Sequence, residues 1–147
     1  MGFELAVQEE RIVLYREQNG QTFELVHVLR RPSTSEEKEW DRRRVGHVRK
    51  GRQVRFEDRT LEADAWLWSQ LVRRVEGYTL FGKPLMEATE EDLKRFTAEF
   101  GVPVQSWRDL VPLQDRREAV ERLLGIWAPG LEFGEEEAEG EVTSSEG

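Results

Sequence analysis

Alternation of apolar and polar residues is clearest near the amino-terminal end of the chain. Residues 11–18 (RIVLYREQ) and 21–30 (QTFELVHVLR) are rich in β-branched and aromatic side chains and flank Asn19-Gly20. That dipeptide suits a two-residue type I′ turn, in which both central residues need positive φ. With Asn19-Gly20 as the loop, Gln18 faces Gln21, Leu14 faces Leu25, Val13 faces Val26 and Ile12 faces His27. Both faces of this hairpin carry apolar residues. Partial cover is therefore expected over each: helices over one face, with a second subunit a candidate for the other. Residues 3–7 are expected to add a third strand.

Beyond Pro32 the period changes. Thr34 and Glu37 have the spacing of a capping box, so a helix is predicted over residues 35–50, with only Trp40, Val45 and Val48 to bury and an arginine-rich far end. Leu61, Ala65, Trp68, Val72 and Val75 recur four and three apart, widened by Trp66, Leu67 and Leu71. This stripe predicts the core helix, terminated at Gly77. Residues 79–84 read as a loop. Thr89 opens a short helix carrying Leu93, Phe96 and Phe100, which Gly101 and Pro103 stop. Leu113, Val120, Leu123, Leu124 and Trp127 share a face of the last helix, and Pro129-Gly130 ends it. The pattern gives one α+β domain over residues 1–130: an N-terminal antiparallel β-hairpin or three-stranded sheet packed against about four α-helices. Residues 131–147 read as a disordered acidic tail.

Charge changes the picture more than length does. Residues 42–55 hold seven basic side chains and no acidic one, whereas residues 132–147 hold seven acidic and no basic one. The net charge of −8 is thus nearly all in the tail. Five tryptophans and seven phenylalanines exclude disorder of the whole chain. Cysteine is absent, which excludes disulfides and thiolate metal sites. The start of the chain lacks the basic and apolar runs of a signal peptide, and no run approaches the ~20 apolar residues of a membrane span. A cytoplasmic protein with no membrane association is expected.

Reaction chemistry is poorly represented. His27 and His47 share no metal-ligand spacing, and His27, opposite Ile12, is expected to pack or hydrogen-bond. His47 is expected at the surface of the basic helix. No phosphate-binding glycine–lysine loop, nucleophile elbow or two-histidine helix motif is present. Glu90-Glu91-Asp92 falls in the first turn of a helix, where negative charge is favoured. Arg30-Arg31-Pro32-Ser33 has the form of a basophilic kinase site, but Ser33 has a simpler role at a helix start. The expectation is a non-enzymatic protein without catalytic residues, cofactor or metal.

Contact candidates are Arg42, Arg43, Arg44, Arg49, Lys50, Arg52 and Arg55, with Trp40 and Trp127 on weakly apolar helices as interface residues. The basic residues could neutralise nucleic-acid phosphates, aided by Gly51 for close approach and Phe56 for stacking. Against that, no nucleic-acid fold signature follows and the net charge repels a polyanion, which favours contact with a protein partner or a solvated helix end. A sixteen-residue coil spans roughly 20–25 Å, so the acidic tail is expected to compete for this surface in a salt-sensitive way.

Three stretches together resemble the tail assembly chaperones of long-tailed bacteriophages and prophages. They are Leu29-Arg30-Arg31-Pro32-Ser33 leading from strands into a charged helix, Val75-Glu76-Gly77-Tyr78 closing the core helix, and Trp107-Arg108-Asp109-Leu110-Val111-Pro112 running into Arg117-Glu118-Ala119-Val120-Glu121-Arg122-Leu123. The similarity covers about residues 21–127. It implies a small cytoplasmic, non-enzymatic protein that binds tape-measure or tail-tube subunits during assembly, with homo-oligomers possible and no catalytic residue to carry over. A frameshifted extension occurs in several such families and would be compatible with the acidic end. The alternative is a nucleic-acid-binding regulator using residues 42–55.

Overall fold

Asn19 and Gly20 take φ values of 53° and 79°, and the first hairpin closes on them. Strands β1 (Glu9–Gln18) and β2 (Gln21–Arg30) pair antiparallel in the expected register, with Gln18 opposite Gln21, Leu14 opposite Leu25 and Ile12 opposite His27. The computed structural model describes residues 8–50 and 53–127, and of residues 46–50 and 53–58 the backbone alone. The strand expected at residues 3–7, the helix stop at Pro129-Gly130 and the tail at 131–147 lie outside the described residues.

Among the described residues, a third strand comes from within the predicted core helix. Helix α2 stops at Leu71 (Thr60–Leu71), and Val72–Glu76 runs on as β5, antiparallel to the free edge of β2. The register shifts between Val28 and Leu29: Leu29 faces Val72 while Val28 faces Arg74. One extra residue in β5 therefore lets Val72 and Val75, three apart, both turn inward. That spacing imitates a helical stripe. β-Branched Val72 and Val75 at an unpaired sheet edge favour the strand.

Helix α1 (Thr34–Arg44) differs from its prediction at both ends. Its capping box is Ser33 with Glu36, one residue earlier than Thr34 with Glu37. After Arg44 the chain forms a two-stranded ribbon, β3 (Val45–Lys50) and β4 (Gln53–Asp58), with Val45 opposite Asp58 and His47 opposite Phe56. Gly46 and the β-branched Val45 and Val48 explain why the helix does not persist. The Arg59 amide donates to the Arg44 carbonyl at 2.8 Å and pins the base of the ribbon.

Residues 79–84, expected as a loop, make a small hairpin of β6 (Thr79–Leu80) and β7 (Lys83–Pro84) around Phe81 and Gly82, both at positive φ. Helix α3 (Glu90–Phe100) has Thr89 at its start, bonded reciprocally with Asp92, and Gly101 at φ 71° at its end, as predicted. Lys83 lies 2.7 Å from Asp92 and, with the Thr89 bonds, holds that carboxylate down to about 2. Single turns at Leu85–Glu87 and Trp107–Leu110 lead into α3 and α4 (Leu113–Trp127).

The core lies between the inner sheet face and α1, α2 and α4. Ile12, Leu14, Leu25, Leu29, Val72 and Val75 meet Trp40, Leu67, Trp68, Leu71, Val120, Leu123 and Leu124 in one cluster. On the outer face Val26 and Val28 are only 3% exposed in the single chain, so their burial requires no second subunit. An Arg11–Glu76 ion pair of 3.2 Å runs across β2 on that face. Being half exposed, it contributes little to stability.

Gly77 joins β5 to Tyr78 at φ 95°, and a Cβ there would collide with the Glu24 carbonyl. Gly82, at φ 80°, has open space around it. In urea melts, Gly82→Ala should cost about 1 kcal/mol from positive φ alone, and Gly77→Ala at least about 3 kcal/mol. Equal losses would contradict the close approach of Gly77 to β2.

Candidate functional site

A chain of buried polar groups threads the core and ends at a cleft. His27 is fully buried on β2. Trp68 Nε1–H donates to His27 Nδ1 at 2.9 Å. An indole nitrogen is a donor only, so Nδ1 accepts and the imidazole carries its proton on Nε2. That Nε2–H donates to Tyr78 Oη at 2.8 Å, and the Tyr78 hydroxyl donates to Asp115 Oδ2 at 2.8 Å. From β1, Arg16 donates to Asp115 Oδ1 through Nε at 3.0 Å and Nη2 at 2.6 Å, and also reaches Glu118 at 2.8 Å. Arg122 completes the series by donating to Glu118 and to the Val13 carbonyl.

Electrostatics follow from this geometry. Burial pushes His27 down from 6.5 to about 4, against the opposing pull of Asp115. Burial and the bond to Asp115 raise the Tyr78 phenol and keep it protonated. Arg16 is raised further, chiefly by its own hydrogen bond to Glu118. Asp115 sits in the first turn of α4, where the helix dipole favours its charge. The adjoining cleft, about 580 Å³, is lined by Phe23, Leu25 and Pro112 together with Arg16, Tyr78 and Asp115. The chain of donors satisfies the polar groups from within and orders the cleft floor. Among the described residues no cluster of three or more histidine or acidic side chains could hold a metal ion.

A second buried carboxyl lies where α1, α2 and α4 meet. Asp64 is fully buried, accepts from Trp40 Nε1 at 2.7 Å on Oδ1, and has no hydrogen-bond partner for Oδ2. Arg117 Nε stands 4.0 Å away and is shared with Glu121 at 3.1 Å. Burial raises Asp64 from 3.8 to about 7.

The predicted contact residues are scattered by the fold. Trp40 is 1% exposed and belongs to the core, because Asp64 draws its indole inward; the expectation of an interface tryptophan there is corrected. Arg42 and Arg43 bond Glu39, Arg43 also lies 4.4 Å over Trp66, and Arg44 bonds Asp41 at 2.6 Å and covers Trp40. These arginines lie on a helix with their own acids, so the uniformly basic stretch is locally neutralised. Arg49, Lys50 and Arg55 fall in the ribbon, where Arg49 pairs with Val54, Lys50 with Gln53 and Arg55 with Val48. Arg52 lies outside the described residues. Trp127 is half buried at the end of α4, with the Arg31 guanidinium 5.2 Å over its ring.

Tyr78, Asp115, Arg16 and Asp64 were absent from the sequence-derived set. No local spacing marks the carboxylates of Asp64 and Asp115 as buried. No family model, curated protein or solved structure matches the chain. No helix among the described residues is long and apolar enough to cross a membrane.

The two buried groups give opposite pH dependences. Between about pH 4 and 6.5 the unfolded chain binds a proton at His27 that the folded chain does not, so stability rises with pH. Between about pH 4 and 7 the folded chain keeps a proton at Asp64 that the unfolded chain releases, so stability falls with pH. These slopes nearly cancel. Denaturant melts of Asp64→Asn should expose a rise of roughly 1 kcal/mol per pH unit over this range, and His27→Gln a comparable fall. Parallel profiles in the two variants would contradict the assignment.

Proposed function

We propose that the chain is a non-enzymatic binding protein of the tail assembly chaperone kind, holding an apolar helical stretch of a tape-measure or tail-tube subunit in the cytoplasm of a bacterial host until assembly. The observation that carries this reading is α3. Leu93, Phe96 and Phe100 stand three and four apart on one side, yet no residue of α3 is buried. Phe100 is 59% and Val102 47% exposed, and the Phe96 and Phe100 rings lie 4.8 Å apart. An amphipathic helix ordinarily buries such a stripe. Here Leu93 and Phe96 are half-buried, while the exposed end of the stripe, Phe100 with Val102, is suited to receive another helix's apolar face. The Lys83–Asp92 ion pair and Arg95, 3.8 Å over the Phe81 ring, hold α3 in place without covering that end. Histidine, tyrosine and carboxylate groups bonded to one another in the core also favour binding over catalysis.

A second reading is supported by the ribbon. A two-stranded antiparallel β-ribbon fits a nucleic-acid major groove, and β3–β4 carries Arg49, Lys50 and Arg55.

Co-expression with the neighbouring tail genes, followed by pull-down under graded salt, separates the two readings. A chaperone should recover a stable complex with the tape-measure or tube subunit. Phe100→Ser with Val102→Ser should weaken it by roughly tenfold or more while leaving the fold intact. No complex with either subunit, or an unaffected one, would overturn the proposal. Polyanion binding whose salt slope drops on Arg49→Ser and Arg55→Ser would establish the second reading instead.

A further inference from the structure

At the end of the sheet away from the Tyr78 cleft, a groove of about 470 Å³ runs between the β2–α1 turn and the end of α4. Arg30, Arg31, Ser33, Glu37, Arg73 and Trp127 line it, with Pro32 beside them. Trp127 Nε1 is shut off from solvent and has no hydrogen-bond partner. Buried N–H groups without an acceptor are rare in folded proteins and point to a missing acceptor. Arg31 stacks on the Trp127 ring and bonds the Gln8 side chain at 3.3 Å, but forms no ion pair with a carboxylate among the described residues. Arg30 is bonded to Glu36, and Arg73 lies 3.4 Å from Glu9 in a partly exposed pair. Glu37 is the acidic residue among those lining the groove, so its wall carries three cations to one carboxylate.

Trp127, the last described residue, lines this groove. Glu132 follows five residues later, flanked by Leu131 and Phe133, and Glu135, Glu136, Glu137, Glu139, Glu141 and Glu146 continue the acidic run. Five residues reach up to about 17 Å when extended. We propose that the groove receives the chain's own acidic run. A carboxylate there accepts from the Trp127 indole and pairs with Arg31 and Arg73, while Leu131 or Phe133 lies against Trp127 and Pro32. Charge-assisted bonds of this kind are the strong ones, and at a half-exposed site they weaken with salt. Arg42, Arg43 and Arg44 compete poorly for the same acids, since Glu39 and Asp41 already bond them.

The test uses the full-length chain, labelled with ¹⁵N, and a full-length variant in which the seven glutamates from Glu132 to Glu146 are changed to glutamine. Of the five tryptophan indole signals, that of Trp127 should move between the two proteins and move the same way on adding salt to the parent, while the other four stay in place. On an Arg31→Gln background, the seven substitutions should move it no further. The shift should not depend on protein concentration. Indole spectra that overlay at Trp127 would overturn the proposal. A shift that grows with concentration would also overturn it, by assigning the groove to the acids of a second copy.

Discussion

Because an indole nitrogen only donates, Trp68 obliges His27 to keep Nδ1 bare and to carry its proton on Nε2, and the remaining bonds of the core follow from that. The imidazole must then donate to Tyr78, the phenol to Asp115, and the carboxylate must accept from Arg16. One directed series thereby joins β2, α2, the segment after β5, α4 and β1. Removing His27 strands the Trp68 indole without its acceptor in the core, at about 1–3 kcal/mol for such an orphaned group. The apolar cluster supplies the bulk of the stabilisation; the polar series selects one arrangement of the elements that contribute to it.

This arrangement turns polar chemistry inward. His27 is held neutral by burial, the Tyr78 phenol is held protonated, and Asp115 is held by arginine and tyrosine. What remains outward is the Phe100 end of α3 and the Trp127 groove. On the binding reading proposed above, these are the surfaces that would meet a partner or the chain's own acidic run. Asp64 is the counterweight to His27: one buried group prefers its neutral form by losing a proton, the other by keeping one, and their effects on stability oppose each other.

The hairpin was legible residue by residue, because Asn19-Gly20 specifies both a turn type and a register. Helices α3 and α4 were legible for a similar reason: Thr89, Gly101 and the apolar repeats from Val120 to Leu124 act locally. The errors arose where tertiary context decided. Val72 and Val75 carry a helical spacing that a bulge places in a strand, and only the free edge of β2 makes that strand worthwhile. The stretch after Arg44 contains glycine and valines that favour a ribbon, yet its charge pattern drew attention to a helix end instead. His27 was expected to pack or to hydrogen-bond, and it does both. Its partners Trp68, Tyr78 and Asp115 lie 41 to 88 positions away, at separations that no spacing rule reaches. Trp40 shows the converse: a lone tryptophan on a charged helix reads as an interface residue until Asp64 is seen to receive its indole.

The directed series through the core rests on the state of one imidazole. Long-range ¹H–¹⁵N correlation spectra of the histidine side chains, recorded on the intact protein from neutral pH down to pH 5, report that state directly. The expected result is a His27 ring with a protonated Nε2 and a bare Nδ1 throughout the range, while an ordinary histidine becomes doubly protonated near 6.5. A His27 ring protonated on Nδ1, or one that takes up a second proton with an ordinary midpoint, would contradict the directed series from Trp68 to Asp115.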